Sequence, residues 1–348
     1  IGVWIMAYTT IDNPGLFFNT VLYTGNATDD RTVTGVGFQP DWSWLKDRTN
    51  ANQHRIYDSV RGATKVIYSS LTTAQGTAST GLKSFDSDGF TLGTGSDENG
   101  NGANFASWNW LAGGASSSNS DGDVTSTVSA NQTAGFSVAL VSNLNSNSFG
   151  HGLGAEPELI INKRTDDTAN WRVYFKGITS GKSLFLNTTA AETTESSRIS
   201  SANSTTITVT GSGNGGTGGT GTAVYYSFKS IKGYSKFGSY TGGTDPFVYL
   251  GFKPAWIVFK NTNATENWRI VDNKRDDDNP VVQHLYPNTN GAEGSGASYS
   301  DFIDFLSNGF KIRSGSGEID GSGNKIIYMA FAENPFVTEG TKAAGTAK

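Results

Sequence analysis

Residues 35–48 read GVGFQPDWSWLKDR, and the same short sentence returns twice further along the chain. It recurs as GLGAEPELIINKRT from Gly152 and as LGFKPAWIVFKNT from Leu250, so that Gly37, Gly154 and Gly251 align. Pro40, Pro157 and Pro254 each follow their glycine by three residues, and Lys46, Lys163 and Lys260 follow by nine. An aromatic-Arg pair closes each copy as His54-Arg55, Trp171-Arg172 and Trp268-Arg269. Four positions held in register three times identify a tandem array of related modules. The copies start about 100 residues apart, which is the size of a domain rather than of a solenoid repeat.

The run after each proline is apolar and bounded by turn-forming residues, as in Ala-Trp-Ile-Val-Phe-Lys before Asn261, which predicts a core strand. Gly permits a positive φ at the preceding turn, and Pro stiffens the strand entry without needing a ladder partner. Each module closes on an aromatic strand, FASWNW at 105–110, VYYSFK at 224–229 and IIYMAFAE at 326–333. Glycine, Ser, Thr and Asn punctuate short β-branched and aromatic runs elsewhere, whereas the best helical periodicity, near 300–306, covers one or two turns. The expected fold is all-β, three tandem antiparallel β-sandwich modules with little helix, and the pattern fits concanavalin/lectin-like or jelly-roll-like sandwiches and immunoglobulin-like ones alike.

The expected organisation is an N-terminal segment over 1–16, module 1 over 17–112, a Gly/Ser-rich linker over 113–134, module 2 over 135–230, module 3 over 231–335 and a C-terminal tail over 336–348. The linker, GGASSSNSDGDVTSTVSANQTA, predicts a hinge between the first two modules. The short Ser230-Ile231-Lys232 connection predicts a rigid pair of the second and third.

Composition narrows function. The net charge is −5, and scattered Lys and Arg form no basic stripe, so nucleic acid is not an expected partner. Cysteine is absent, which removes disulfides, thiolate metal sites and thiol nucleophiles. The opening IGVWIMAY reads as neither a signal peptide nor a membrane span, so no membrane insertion is expected.

Catalytic groupings are scarce. The three histidines, His54, His151 and His284, occupy different places in the three modules. No nucleophile elbow, zinc helix or phosphate loop is present, and Gly211-Ser-Gly-Asn-Gly-Gly216 matches a dinucleotide fingerprint by letter but lacks the following helix and acid. No catalytic or cofactor-binding residue is assigned. Asp97, Asn99 and Asn101 resemble the first half of a calcium loop, with Asp320 in the corresponding loop of the third module, and polar hairpin turns explain both more simply. Calcium is therefore the one candidate cofactor. Glu156 with Glu158, and Asp276 to Asp278, are the acids a glycan-cleaving enzyme could draw on. The repeated Gly37, Pro40, Lys46, Arg55, Gly154, Pro157, Lys163, Trp171, Arg172, Gly251, Pro254, Lys260, Trp268 and Arg269 read as structural, with the lysines as strand ends that snorkel to solvent. Tryptophan and tyrosine side chains remain as candidate stacking platforms for sugars, although Trp42, Trp44, Trp108, Trp110 and Trp256 lie on expected core strands where packing is the simpler role.

Several motifs carry a family resemblance: MAYTTIDNPGLFFNTVLYTGN from Met6, GFQPDWSWLKDR, DSVRGATK, SFDSDGFTLG, GYSKFGSYTGG and IYMAFAENPF. On these the chain resembles a family of tailed-phage virion proteins, many from marine phages and often labelled tail fibre or structural protein. Ile1 to Ile5 precede the Met6 at which the resemblance begins, and LGAEPEL in the second copy departs from the Gly-Phe form. The resemblance implies a virion component made in the host cytoplasm without a signal peptide, homo-oligomeric, with a trimer expected from fibres in general. Its implied partners are other virion proteins and a host surface glycan. Together with the absence of catalytic groupings, it leads to the expectation of a non-enzymatic tail-fibre or head-fibre appendage contacting the host surface, with a purely architectural coat, decoration or filament protein and a glycan-cleaving depolymerase as alternatives.

Overall fold

Every residue of Trp42–Asp47 is buried, although strand geometry sends alternate side chains to opposite faces. Such a strand must be covered twice. The computed structural model, which describes residues 8–143, 145–211, 221–243, 245–294, 302–314 and 316–337, shows how. Trp42 and Trp44 point to a core shared with the other modules, and Leu45 points to a small sheet of its own module.

All strand pairs within the sheets are antiparallel, and three large sheets repeat one order. In the first, Phe18–Thr24 pairs with Asn104–Trp110, then Trp42–Asp47, then Arg55–Asp58. Phe136–Ser142, Thr222–Phe228, Leu159–Arg164 and Arg172–Phe175 take the same places in the second. Ser235–Thr241, Lys325–Pro335, Phe252–Asn261 and Arg269–Asp272 take them in the third. Each large sheet is backed by a three-stranded one: Arg31–Thr34 with Gly89–Leu92 and Leu82–Asp86, Ser148–Gly150 with Thr206–Thr210 and Arg198–Ala202, and Phe247–Tyr249 with Gly309–Ser314 and Phe302–Leu306. The fold is thus all-β and of sandwich type. Helix among the described residues is confined to Pro14–Leu16, Ser96–Asn99 and Gly317–Asp320.

Two expectations are corrected. The helical periodicity near 300–306 lies in the strand Phe302–Leu306 where it is described, folded back on Gly309–Ser314 through the Ser307-Asn308 turn. Residues 113–134 are not an open linker, because Ser117–Asn119 and Ser126–Asn131 extend the second large sheet beyond Phe136–Ser142. Backbone pairing holds these polar strands, and Val128 packs into the core of that sandwich. Ala112 N and Gly114 N also donate to the buried Asp41 carboxylate, so the passage between the first two modules is fastened.

The inner faces of the three large sheets meet in a single apolar cluster. Trp42 stands 4.7 Å from Tyr226, ring centre to ring centre, joining the first module to the second. Trp110 stands 5.3 Å from Trp256, joining first to third, and Phe228 stands 6.2 Å from Phe331, joining second to third. Every described tryptophan is buried there. Aromatic pairs at these separations add to the free energy of area burial by about 0.5–1.5 kcal/mol each.

One position of the junction occurs in two chemistries. Trp108, Tyr226 and Met329 are structural equivalents, facing Trp44, Ile161 and Val258 across their ladders. Tyr226 Oη donates to Asp58 in the first module at 2.6 Å, and Trp108 Nε1 donates to Asp272 in the third at 3.0 Å. Each acceptor is paired with a wholly buried arginine, Arg61 or Arg275. Met329 has no proton to donate, and the second module carries Phe175 and Ile178 where the others carry the Asp-Arg pair. A buried ion pair and an apolar set are close in stability when each is complete, whereas half of either is not. The triple variant Y226M/D58F/R61I is therefore expected to keep stability within about 2 kcal/mol of the parent, while D58F alone, which strands Arg61, loses about 3–5 kcal/mol. Denaturant unfolding of both variants measures the difference.

Candidate functional site

The repeated motif serves the junctions between modules. Gly37, Gly154 and Gly251 all have left-handed φ, at 87°, 66° and 84°, so the turn before each core strand needs glycine. Pro40, Pro157 and Pro254 are buried behind them. The lysines do not snorkel to solvent: Lys46, Lys163 and Lys260 are wholly buried, with Nζ set among backbone carbonyls. Lys46 Nζ donates to Asp47 O at 2.6 Å, Asn52 O at 2.7 Å and, in the third module, Asn290 O at 3.3 Å. Lys163 Nζ donates to Arg164 O at 2.7 Å and to Thr72 O of the first module at 3.1 Å. Lys260 Nζ donates to Glu266 O and to Thr189 O of the second module at 2.8 Å. Each ammonium thus ties its own loop to the module before it, the first to the third, and the three ties run round the molecule in one sense.

The aromatic position of the motif runs with them. Trp171 Nε1 donates to Tyr68 O in the first module and Trp268 Nε1 to Phe185 O in the second, both at 2.8 Å. His54 holds the same place against the backbone of Tyr286 in the third. Its shorter ring leaves Nε2 outside hydrogen-bond geometry, while Nδ1 accepts from Trp44 Nε1 at 2.9 Å. Burial first, then the positive Lys46 and Arg275, push its pKa well down, so the ring is neutral. His151 is likewise pushed down by burial.

The arginines of the motif hold acids. Arg55 pairs with Asp97 and Glu98, Arg172 with Glu195 at 3.0 Å, and Arg269 with Glu318 at 2.6 Å. Burial pushes Glu98 up against the opposing pull of Arg55. The calcium-candidate loop is occupied by such internal contacts. Asn99 Oδ1 accepts from Asn26 N and Arg31, its Nδ2 donates to Thr28 O and Gly93 O, and Asp320 accepts from Gly243 N. Asn101 is exposed, and among the described residues no group of three or more acids and histidines is placed to hold a metal ion. Glu156 pairs with Lys176, Glu158 accepts from Ser230, and Asp276 accepts from Val282 N and Gln283 N. The fingerprint-like residues 212–216 lie outside the described residues.

Sequence reasoning overlooked an exposed group on the third module. Phe247 and Tyr249, on the edge strand of its small sheet, are 48% and 49% exposed. Tyr249 Oη lies 3.3 Å from Tyr8 Oη, which donates to Gly251 O at 2.7 Å. Lys232 Nζ stands 4.4 Å over the Tyr8 ring and Lys236 Nζ 5.6 Å over the Tyr249 ring. Beside them Tyr8, Thr10, Lys229, Ser230 and Lys232 border an open concavity of about 330 Å³. The signal was available in the repeats. In register, Phe247 and Tyr249 replace Thr32 and Thr34 of the first module and Ser148 and Gly150 of the second.

The buried lysines give the fold a pH dependence. Burial, the largest influence, pushes each of the three down to about 8, against an ordinary 10.5. Between those values the unfolded chain binds more protons than the folded one, so stability rises with pH. Buried tyrosines such as Tyr226 and Tyr234, raised by burial, oppose this once unfolded tyrosine ionises near pH 10. The unfolding free energy is expected to climb between pH 8 and about 9.5, and Lys163→Met to remove about one third of that slope, as read from denaturant titrations at stepped pH.

No helix among the described residues is long and apolar enough to cross a membrane. Comparisons with curated proteins and with solved structures return no match. A family model described as a domain of unknown function, DUF7483, matches residues 13–335, spanning all three modules, and the chain belongs to that family.

Proposed function

We infer that the chain is a non-enzymatic structural component of a phage virion, the compact head of a tail or head fibre that meets the host surface and is joined to other virion proteins. The observation that carries this reading is where the repeated polar and aromatic residues are used. The motif's lysines and ring positions are engaged in tying modules together, and its arginines in holding acids of their own modules. Function is thereby left to the outer surface, as suits an appendage whose work is mechanical hold and contact. Repetition around one centre would present several faces at once, and linked weak contacts gain through effective concentration.

The family resemblance of the sequence supports the same reading. The apolar inner faces are occupied within one chain, so a homo-oligomer would use the outer surface instead. That arrangement also favours an appendage over a coat, whose subunits bury broad apolar faces between chains.

Virions of the encoding phage, labelled with antibody against the chain and imaged by electron microscopy, are expected to carry it at the tail or on head fibres. Added purified protein should slow adsorption of those virions to host cells. Uniform labelling over the capsid with no effect on adsorption contradicts this reading and favours a decoration protein, while release of reducing sugar ends from host polysaccharide makes the chain a depolymerase.

A further inference from the structure

We propose that the concavity beside Tyr8 and Tyr249 is a binding site for a carboxylate-bearing saccharide, an inference that rests on the host-contact reading above and gives that contact a place and a chemistry. Three features converge there. Aromatic surface is exposed at Phe247 and Tyr249, where the sandwich itself requires none, since the same strand positions are Thr32 and Thr34, or Ser148 and Gly150, in the sister modules. Positive charge is concentrated in a chain of net charge −5: Lys229 and Lys232 border the concavity, Lys236 Nζ lies over the Tyr249 ring and donates to Tyr249 O, and among the described residues none of the three forms an ion pair. Lys236 again departs from its equivalents, Asn19 and Ser137, which face the matching strand position. The Thr10 hydroxyl supplies a hydrogen-bonding group at the concavity wall, where Ser230 Oγ already donates to Glu158 and accepts from Phe237 N.

A sugar ring offers an apolar C–H face and a polar edge, which suit a tyrosine ring beside hydroxyls. An attached carboxylate would lie toward the ammonium groups of Lys229 and Lys232, where a neutral sugar gains nothing from the charge. An acidic peptide shares the charge but would find an edge strand of only three residues, Phe247–Tyr249, to pair with.

The test uses the full chain with four probes, galacturonic acid trimer, 3′-sialyllactose, lactose and a short polyglutamate peptide, measured by titration calorimetry at low and high salt. At least one acidic sugar is expected to bind tenfold or more tightly than lactose and polyglutamate, and to weaken as salt screens the charge. K229E/K232E should reduce that affinity at least tenfold. The variant F247T/Y249T, which installs the first module's residues, should reduce it severalfold with an unchanged melting temperature. Failure of every acidic sugar to bind, equal binding of lactose, equal binding of polyglutamate, or unchanged affinity in both variants overturns the site. Adsorption competition separates this from the broader reading. If the parent chain slows virion adsorption and K229E/K232E slows it equally, this site is wrong and the host-contact function stands, whereas a parent chain with no effect removes the host-contact function itself.

Discussion

The constraint that organises this molecule is that its three large sheets each need cover on two faces and find the second cover in one another. Their small companion sheets close the outer faces over separate cores. The inner faces carry the largest rings in the chain and would be exposed in any module standing alone. Tandem repetition here is therefore a requirement of folding. Each module is complete as a chain of strands and incomplete as a buried core.

Polar chemistry inside the junctions follows from that constraint. Loops brought between modules carry backbone carbonyls into low dielectric, where an unpaired acceptor costs about 1–3 kcal/mol. A lysine ammonium offers three protons on a flexible stem, and one such group per junction satisfies carbonyls from both sides. The cyclic sense is kept in the backbone as well: Gln75 N donates to Thr165 O, Glu192 N to Thr262 O and Glu293 N to Arg48 O. Direction and spacing are thus fixed together, and the two ion-paired junctions differ from the third where the proton donor and the Asp-Arg pair have been replaced by apolar groups.

Much of the fold was legible in the sequence. The threefold motif, its glycine and proline turns, the core strands and the aromatic closing strands all follow from local pattern. The shared core was not legible, because a continuously apolar strand such as LIINKR says that both faces are covered without saying by what. Residues 113–134 were unreadable for a related reason: an edge strand held by backbone pairing can be built from Ser, Thr and Asn. Lys46 and its equivalents were misread because a charged residue at a strand end looks wet until the neighbouring module is placed over it. The exposed aromatic edge could have been found by comparing the copies for difference instead of likeness, since Phe247 and Tyr249 depart from a pattern the sandwich satisfies with Thr, Ser and Gly.

The claim that one core unites the three modules is tested most directly by native-state hydrogen exchange followed residue by residue under increasing denaturant. Amides of Trp42–Asp47, Leu159–Arg164 and Phe252–Asn261 are predicted to open only in the global unfolding event, with one common free energy and one common denaturant dependence. Opening of one of these strands at a distinctly lower free energy, with the other two still protected, would show a module that folds on its own core and would contradict the account.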